Sequence, residues 1–199
     1  MSDELPGLRE RKKRALRQSL YDTALTLFRR DGFDAVPVSA ICAEAGVAKG
    51  TFFNHFPTKD HVLLEWYEQL NSQANAIELT QGSLTDRLIA MTDGFLDISL
   101  GDADLWRAKQ QRVALSEDFR QAEMRSDVQT RALAATLFAD AIKSGEIGDE
   151  LDPIALGDLA VTILTGSVHD WTLSNGQLDV RETVRSRLKV FVRSLARPS

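Results

Sequence analysis

The amino-acid sequence predicts an all-α fold of about nine helices, and three observations carry that expectation. Apolar residues recur at three- and four-residue spacing along almost the whole chain, no run alternates apolar with polar as a half-buried strand does, and Gly, Asn-Gly or Asp-Pro signals punctuate the periodic stretches. The 199 residues, 43% of them hydrophobic, suffice for a sizeable core, while 7% aromatics and 5 prolines speak against a turn-rich β-sandwich. No internal repeat is visible.

The spacing predicts a first helix from about Arg9 to Arg30, with Leu16, Leu20, Ala24, Leu27 and Phe28 as its apolar stripe and Asp31-Gly32 as its stop. Ser39 is expected to cap a short second helix that turns Ile41, Cys42 and Ala45 inward. Gly46 then ends it in a left-handed conformation and Val47 plugs the corner. A third helix, about Lys49 to His55, buries Phe52 and Phe56 and leaves Lys49, Gly50, Thr51, Phe53, Asn54 and His55 mainly outward. Thr58 is expected to cap a fourth, along which Val62, Leu63, Trp66, Tyr67, Leu70 and Ala74 run toward about Leu79.

After a break at Thr80 to Ser83, a fifth helix spans Leu84 to Leu100, with Leu88, Met91, Phe95 and Ile98 at helical spacing and Gly101-Asp102 at its end. A sixth is expected over Leu105 to Leu115. A seventh, Asp118 to Ser144, turns Val128, Leu133, Leu137 and Phe138 inward and stops at Gly145. Asp152-Pro153, a cap followed by proline in the first turn, opens an eighth helix that is apolar nearly all round through Leu156, Leu159, Val161, Ile163, Leu164 and Val168. Asn175-Gly176 turns the chain into a ninth, Val180 to Leu195, with Val184, Leu188, Phe191, Val192 and Leu195 on one side.

Helices two and three, joined by a glycine turn, are patterned as a helix-turn-helix, and a helix end rich in donors and free of bulk fits a major groove. The string Ile41, Ala45-Gly46-Val47, Lys49-Gly50-Thr51-Phe52, Phe56 and Lys59, preceded by a helix ending at Phe28 and by Gly32-Phe33, resembles the TetR-type transcriptional regulators over roughly Arg14 to Trp66. The remaining two thirds carry only helical character. The resemblance implies a TetR-like fold: residues 1–57 as a three-helix DNA-binding domain with a basic N-terminal arm, 58–82 as a linking helix, and 83–199 as a larger helical ligand-binding and dimerisation domain. It also implies repression as the default mode of control.

Chemistry assigns roles within the motif. Lys49, at the front of the reading helix, suits a base edge or a phosphate. Gly50 gives the backbone clearance. Thr51 can donate to a phosphate or pack its methyl on a thymine, Asn54 can read adenine, and His55 suits a phosphate. Lys59, at the start of the fourth helix, is expected to clamp a phosphate together with free backbone donors, and Ser39 to do likewise at the second. Phe53 stands where the family often has a tyrosine that binds the DNA backbone; without the hydroxyl it is left to press on sugar or on a thymine methyl. Arg11, Lys12 and Lys13, within a run from Arg9 to Arg17, are expected to lie along phosphates or reach the neighbouring minor groove.

The net charge of −5 is unevenly placed: Met1 to Trp66 is +1 and Tyr67 to Ser199 is −6. DNA binding must therefore rest on a local basic surface, with the acidic bulk turned away. A reader this small selects few base pairs, so a two-fold dimer on an inverted-repeat site of double-stranded DNA is expected. The resemblance implies that the last two helices build it, with Gly157, Ala160 and Gly166 suited to close approach, the alternative being a helix buried in its own subunit. Met91, Phe95, Trp106, Phe119, Met124, Phe138 and Trp171 are candidates to line a pocket for a small hydrophobic or amphipathic effector. The same residues also suit plain core, and control by a protein partner is the alternative.

A helical enzyme built on His61 or His169 lacks support in the spacing. No second histidine stands at metal-ligand distance, and there is no glycine-rich phosphate loop or nucleophile motif, so neither catalysis nor a metal or other cofactor is expected. Cys42, the single cysteine, reads as a small core residue. With no signal-like N-terminus and no apolar run of about 18 residues, the expected location is the cytosol, away from membranes.

Overall fold

Local chemistry explains several of the helix ends in the computed structural model. The structure describes residues 6–74 and 81–195, and their regular structure is entirely helical: α1 (Pro6–Asp31), α2 (Val38–Glu44), α3 (Lys49–Phe53), α4 (Lys59–Ala74), α5 (Leu84–Leu100), α6 (Ala103–Val113), α7 (Glu117–Lys143), α8 (Pro153–Leu173) and α9 (Val180–Ser194). The expected course of the fourth helix to Leu79, Thr80 of the break, and the side chains of Ala74 and Ile98 lie outside the described residues. None of the described helices is long and apolar enough to cross a membrane.

The start of α8 follows the expected chemistry, and α5 is capped as well. Asp152 accepts a bond from the Ile154 N–H at 3.0 Å with Pro153 in the first turn, and Ser83 and Asp86 cap α5 reciprocally. Ser39 does not cap α2. The cap position is Pro37, whose carbonyl accepts from Ala40 and Ile41, so the helix begins earlier and Ser39 stands exposed in its first turn. The expected basic arm is likewise helical, because α1 starts at Pro6 and carries Arg9 to Arg14 on its exposed first turns.

Packing divides the chain into two units, Met1–Glu68 with Asp102–Phe119 and Gln69–Gly101 with Arg120–Ser199. The first therefore contains α6, which the sequence had suggested belongs with the C-terminal region. Here α6 packs on α1. Its Arg112 donates to Asp34 at 2.8 Å and to Asp60 at 3.2 Å, tying the α1–α2 loop to the start of α4. Asp102, at the head of α6, accepts both arms of Arg29 at 2.6 and 2.7 Å and the Trp66 indole N–H at 3.1 Å. The Arg29 bonds hold the Asp102 carboxyl below its usual range against the opposing effect of burial. Lys109 is fully buried, its ammonium 4.1 Å from the Tyr67 ring centroid and 4.7 Å from that of Trp106.

In the second unit α9 packs on α5 and α8. Val184 and Leu188 are fully buried, and Phe191 meets Phe138 edge-on at 5.9 Å. Arg181 and Arg185 share Asp93 across the α5–α9 contact, at 3.1 and 2.6 Å. Gly157 is required inside the subunit, since a Cβ there would lie 2.7 Å from the Ala135 backbone nitrogen of α7. Ala160 is also fully buried within the chain. Gly166 differs: a Cβ there would meet nothing within 4 Å. Of the three small residues expected to admit a second subunit, the structure leaves Gly166 open to the outside. It lies on an exposed stripe of Ala155, Leu159, Thr162, Gly166, His169 and Leu173. On α7, Leu137 and Phe138 are buried as expected, but Val128 is 66% exposed.

Candidate nucleic-acid interface

The turn between α2 and α3 is set by Gly46. Its φ of +66° is a conformation that costs glycine little, and the Val47 and Gly46 N–H groups return to the Cys42 and Ala43 carbonyls at 3.0 and 3.3 Å, closing the end of α2. With Ile41 and Cys42 buried beneath it, the chain enters α3 at Ala48, whose carbonyl accepts from Thr51 at 2.9 Å. Phe52 and Phe56 anchor the other side, buried with ring centroids 5.7 Å apart. Arg17 of α1 lies 4.4 Å from the Phe56 ring centroid and donates to Glu65 of α4 at 2.6 Å, which brackets the motif between those two helices.

What α3 presents outward is Lys49, Gly50, Phe53 and Asn54, all exposed, with Thr51 and His55 half-buried at the margins. Among the described residues no hydrogen bond or ion pair engages Lys49. Gly50 is open, for a Cβ there would meet nothing within 4 Å. Phe53 is 50% exposed and stands edge-on to Phe52, centroids 5.5 Å apart. The His55 Nδ1 atom is enclosed without a hydrogen-bond partner, in a ring that is half-buried as a whole. Ser39, Arg11, Lys12 and Lys13 are exposed.

Lys59 departs from expectation. Its ammonium donates to the Phe33 and Val36 carbonyls at 2.7 and 3.0 Å and rests 4.3 Å from the Phe33 ring centroid. Burial pushes its pKa down, with Asp34 pulling the other way. The side chain fastens the start of α4 to the loop before α2, leaving one N–H for anything else. Sequence reasoning missed this framework because its partners are far apart in the chain. Alternation of charge offers no signal for a pair such as Arg29 and Asp102, 73 residues apart.

The seven candidate effector residues do not form one cluster inside either unit. Trp106 and Phe119 are buried in the first, Met91 and Phe138 are buried and Phe95 and Trp171 half-buried in the second, and Met124 is 68% exposed to solvent. Phe119 borders a cavity of about 250 Å³ with Thr58, Asp60, His61, Leu64, Ser116 and Asp118, a lining more polar than the expected site. His61 is engaged there by the Thr58 hydroxyl at 2.9 Å, with Asp118 at 3.8 Å. No group of three metal-ligating side chains occurs among the described residues, and His169 is exposed on α8.

Residues 20–66 match the family described as "Bacterial regulatory proteins, tetR family". The transcriptional repressor KstR of Mycolicibacterium smegmatis is 30% identical over 143 residues, covering 70% of this chain; the chain in turn spans 56% of that relative's length. A TetR transcription regulator from Haloarcula marismortui superposes with a TM-score of 0.75 at 16% identity, over 92% of this chain and 99% of the other. The TetR-family repressor FadR of Thermus thermophilus, solved in complex with lauroyl-CoA, gives 0.68 at 18% identity, over 92% and 96%. At those identities the likeness to the solved structures is one of fold.

Proposed function

Since the chain belongs to the TetR family of bacterial regulatory proteins, we propose that it is a sequence-specific DNA-binding regulator, acting in the cytosol as a dimeric repressor. The observation that carries this is the outward face of α3. A helix buried through Phe52 and Phe56 offers Lys49, a bare backbone at Gly50, the open edge of Phe53, and Asn54 to the outside. Arg11, Lys12 and Lys13 on the first turns of α1 add phosphate contacts, and Ser39 and Thr51 add hydroxyl donors. The test is selection of bound genomic fragments by the purified protein. An enriched inverted repeat supports the reading, and recovery of no preferred sequence at any salt concentration refutes it.

The exposed stripe on α8 supports dimerisation through α8 and α9, for an apolar and small-residue surface at heptad-like spacing suits a second copy. The proposed division of labour is reader at 1–57, link at 58–82 and effector and dimer region at 83–199, with α6 of the last range packed in the unit of the reader. Release by a small hydrophobic or amphipathic effector is the companion proposal, with lauroyl-CoA as first probe because it is the molecule bound by the Thermus regulator of the same fold. Binding must be tighter to the released conformation, and the operator and effector must weaken one another by the same factor. Met124 and Val128, one turn apart and both exposed on α7, favour control by a protein partner as the alternative.

A further inference from the structure

A large apolar side chain that is half exposed on a helix built to meet a partner calls for an apolar counterpart. Phe53 is such a residue: 50% exposed, on the same face of α3 as Gly50 and Asn54. One side of the ring is supported, since it packs edge-on, at 90° and 5.5 Å, against the fully buried Phe52. One turn before it, Gly50 places no side chain beside it, and a Cβ there would touch nothing within 4 Å. The approach to the ring is therefore open, and its contact with Phe52 favours one orientation before binding, which lowers the entropy lost on contact.

A phenyl ring has no donor or acceptor, so it neither binds a phosphate by hydrogen bonding nor reads the polar pattern of a base edge. Among the groups that distinguish bases in the major groove, the apolar one is the thymine C5-methyl. We propose that Phe53 reads a thymine methyl in each half-site, so that one position of the operator is selected by apolar contact, while Lys49 and Asn54 supply the polar contacts. This rests on α3 being the major-groove helix. Sugar contact, the other open role of an exposed ring, would carry no base preference.

The test uses the full chain and the operator recovered by fragment selection. Each thymine is replaced in turn by deoxyuridine, which deletes the C5-methyl and nothing else, and affinities are measured for wild type, Phe53→Ala and Phe53→Leu. The wild type is expected to lose about fourfold at one thymine per half-site and about fifteenfold when both are changed. Phe53→Ala should bind more weakly and be indifferent to deoxyuridine at those positions; Phe53→Leu should keep part of the sensitivity. Restoring the methyl on 5-methylcytosine at the same position should recover part of the loss. A wild type insensitive to deoxyuridine at every thymine overturns the proposal, whatever the variants do. So does a Phe53→Ala protein, folded by its melting curve, that retains the same sensitivity or that weakens on all sequences alike. Failure to recover any operator instead refutes the regulator reading itself.

Discussion

Gly50→Ala should make the free protein more stable and the DNA complex weaker. Glycine inside a helix costs roughly 0.5 to 1 kcal/mol relative to alanine, because more backbone freedom is lost on folding. At residue 50 nothing in the chain uses that missing side chain: a Cβ would find no atom within 4 Å, so substitution carries no steric cost in the free protein. Because the position lies in the first turn of a five-residue helix, the gain belongs at the lower end, about 0.5 kcal/mol. On DNA the sign reverses. The added carbon holds the α3 backbone off the groove, and loss of one well-made base contact costs about 1 to 3 kcal/mol, or roughly 5- to 150-fold in affinity. Urea unfolding with an unchanged slope measures the first effect, and anisotropy titration of the selected operator measures the second. Equal or tighter binding by a stabilised variant would show that Gly50 does not face DNA. A loss of stability would show that the open space beside it is filled in the free protein.

Three further outcomes follow from the framework and the helix faces. Lys59→Met, which keeps the stem over Phe33 but removes the bonds to the Phe33 and Val36 carbonyls, should destabilise by about 1 to 3 kcal/mol and leave the salt slope of DNA binding unchanged; an unaltered melt with a slope lower by about one would restore the phosphate-clamp role. Asp102→Asn should cost stability at neutral pH, and because the folded carboxyl lies below its ordinary 3.8, the difference from wild type should hold above that value and shrink as pH falls below it through the depressed one, as read by urea unfolding at each pH. Gly157→Ala forces α7 and α8 apart and should destabilise by about 1 to 3 kcal/mol, whereas Gly166→Ala should leave the fold intact and change the sedimentation-measured dimer affinity; identical behaviour of the two would contradict the assignment of faces on α8.

The features legible in the sequence are those whose cause is local. The glycine turn at Gly46, the cap at Asp152 and the inward set of α1 need only neighbours within a turn or two, and the structure contains each of them. Ser39 was misread because two capping signals compete there, and the proline two residues earlier prevails. Val128 was misread for a related reason: the inner face of α7 is carried largely by small residues, Ala122, Ser126, Ala134 and Ala141, all buried, so large apolar residues are a poor guide to its phase. Within the candidate site, the outward character of Lys49, Gly50, Phe53 and Asn54 was legible from helical period alone. The engagement of Lys59 was not, since a lysine beside a helix start has many partners to choose from and only the tertiary fold selects two carbonyls.

Placement also changes what the charge count means. The first 66 residues carry a formal charge of only +1, which makes a poor nucleic-acid ligand if every charge is equally available. They are not equally available. Arg17 is held by Glu65, Arg29 by Asp102, Arg30 by Asp31, and Arg112 from α6 covers both Asp34 and Asp60. These carboxylates, most of them near the reading helices in sequence and Asp102 brought in by the head of α6, are matched by guanidinium groups suited to carboxylate pairing. Arginine thus builds the framework, and it does so with partners drawn from α4 and α6 as well as α1. The consequence is that the acidity of the reading unit is quenched where α2 and α3 are anchored, while Lys49 and the basic first turns of α1 stay exposed. The lysine of α3, unpaired among the described residues, and the basic first turns of α1 then concentrate positive charge on a weakly charged domain, although Glu10 and Glu44 stay exposed as well.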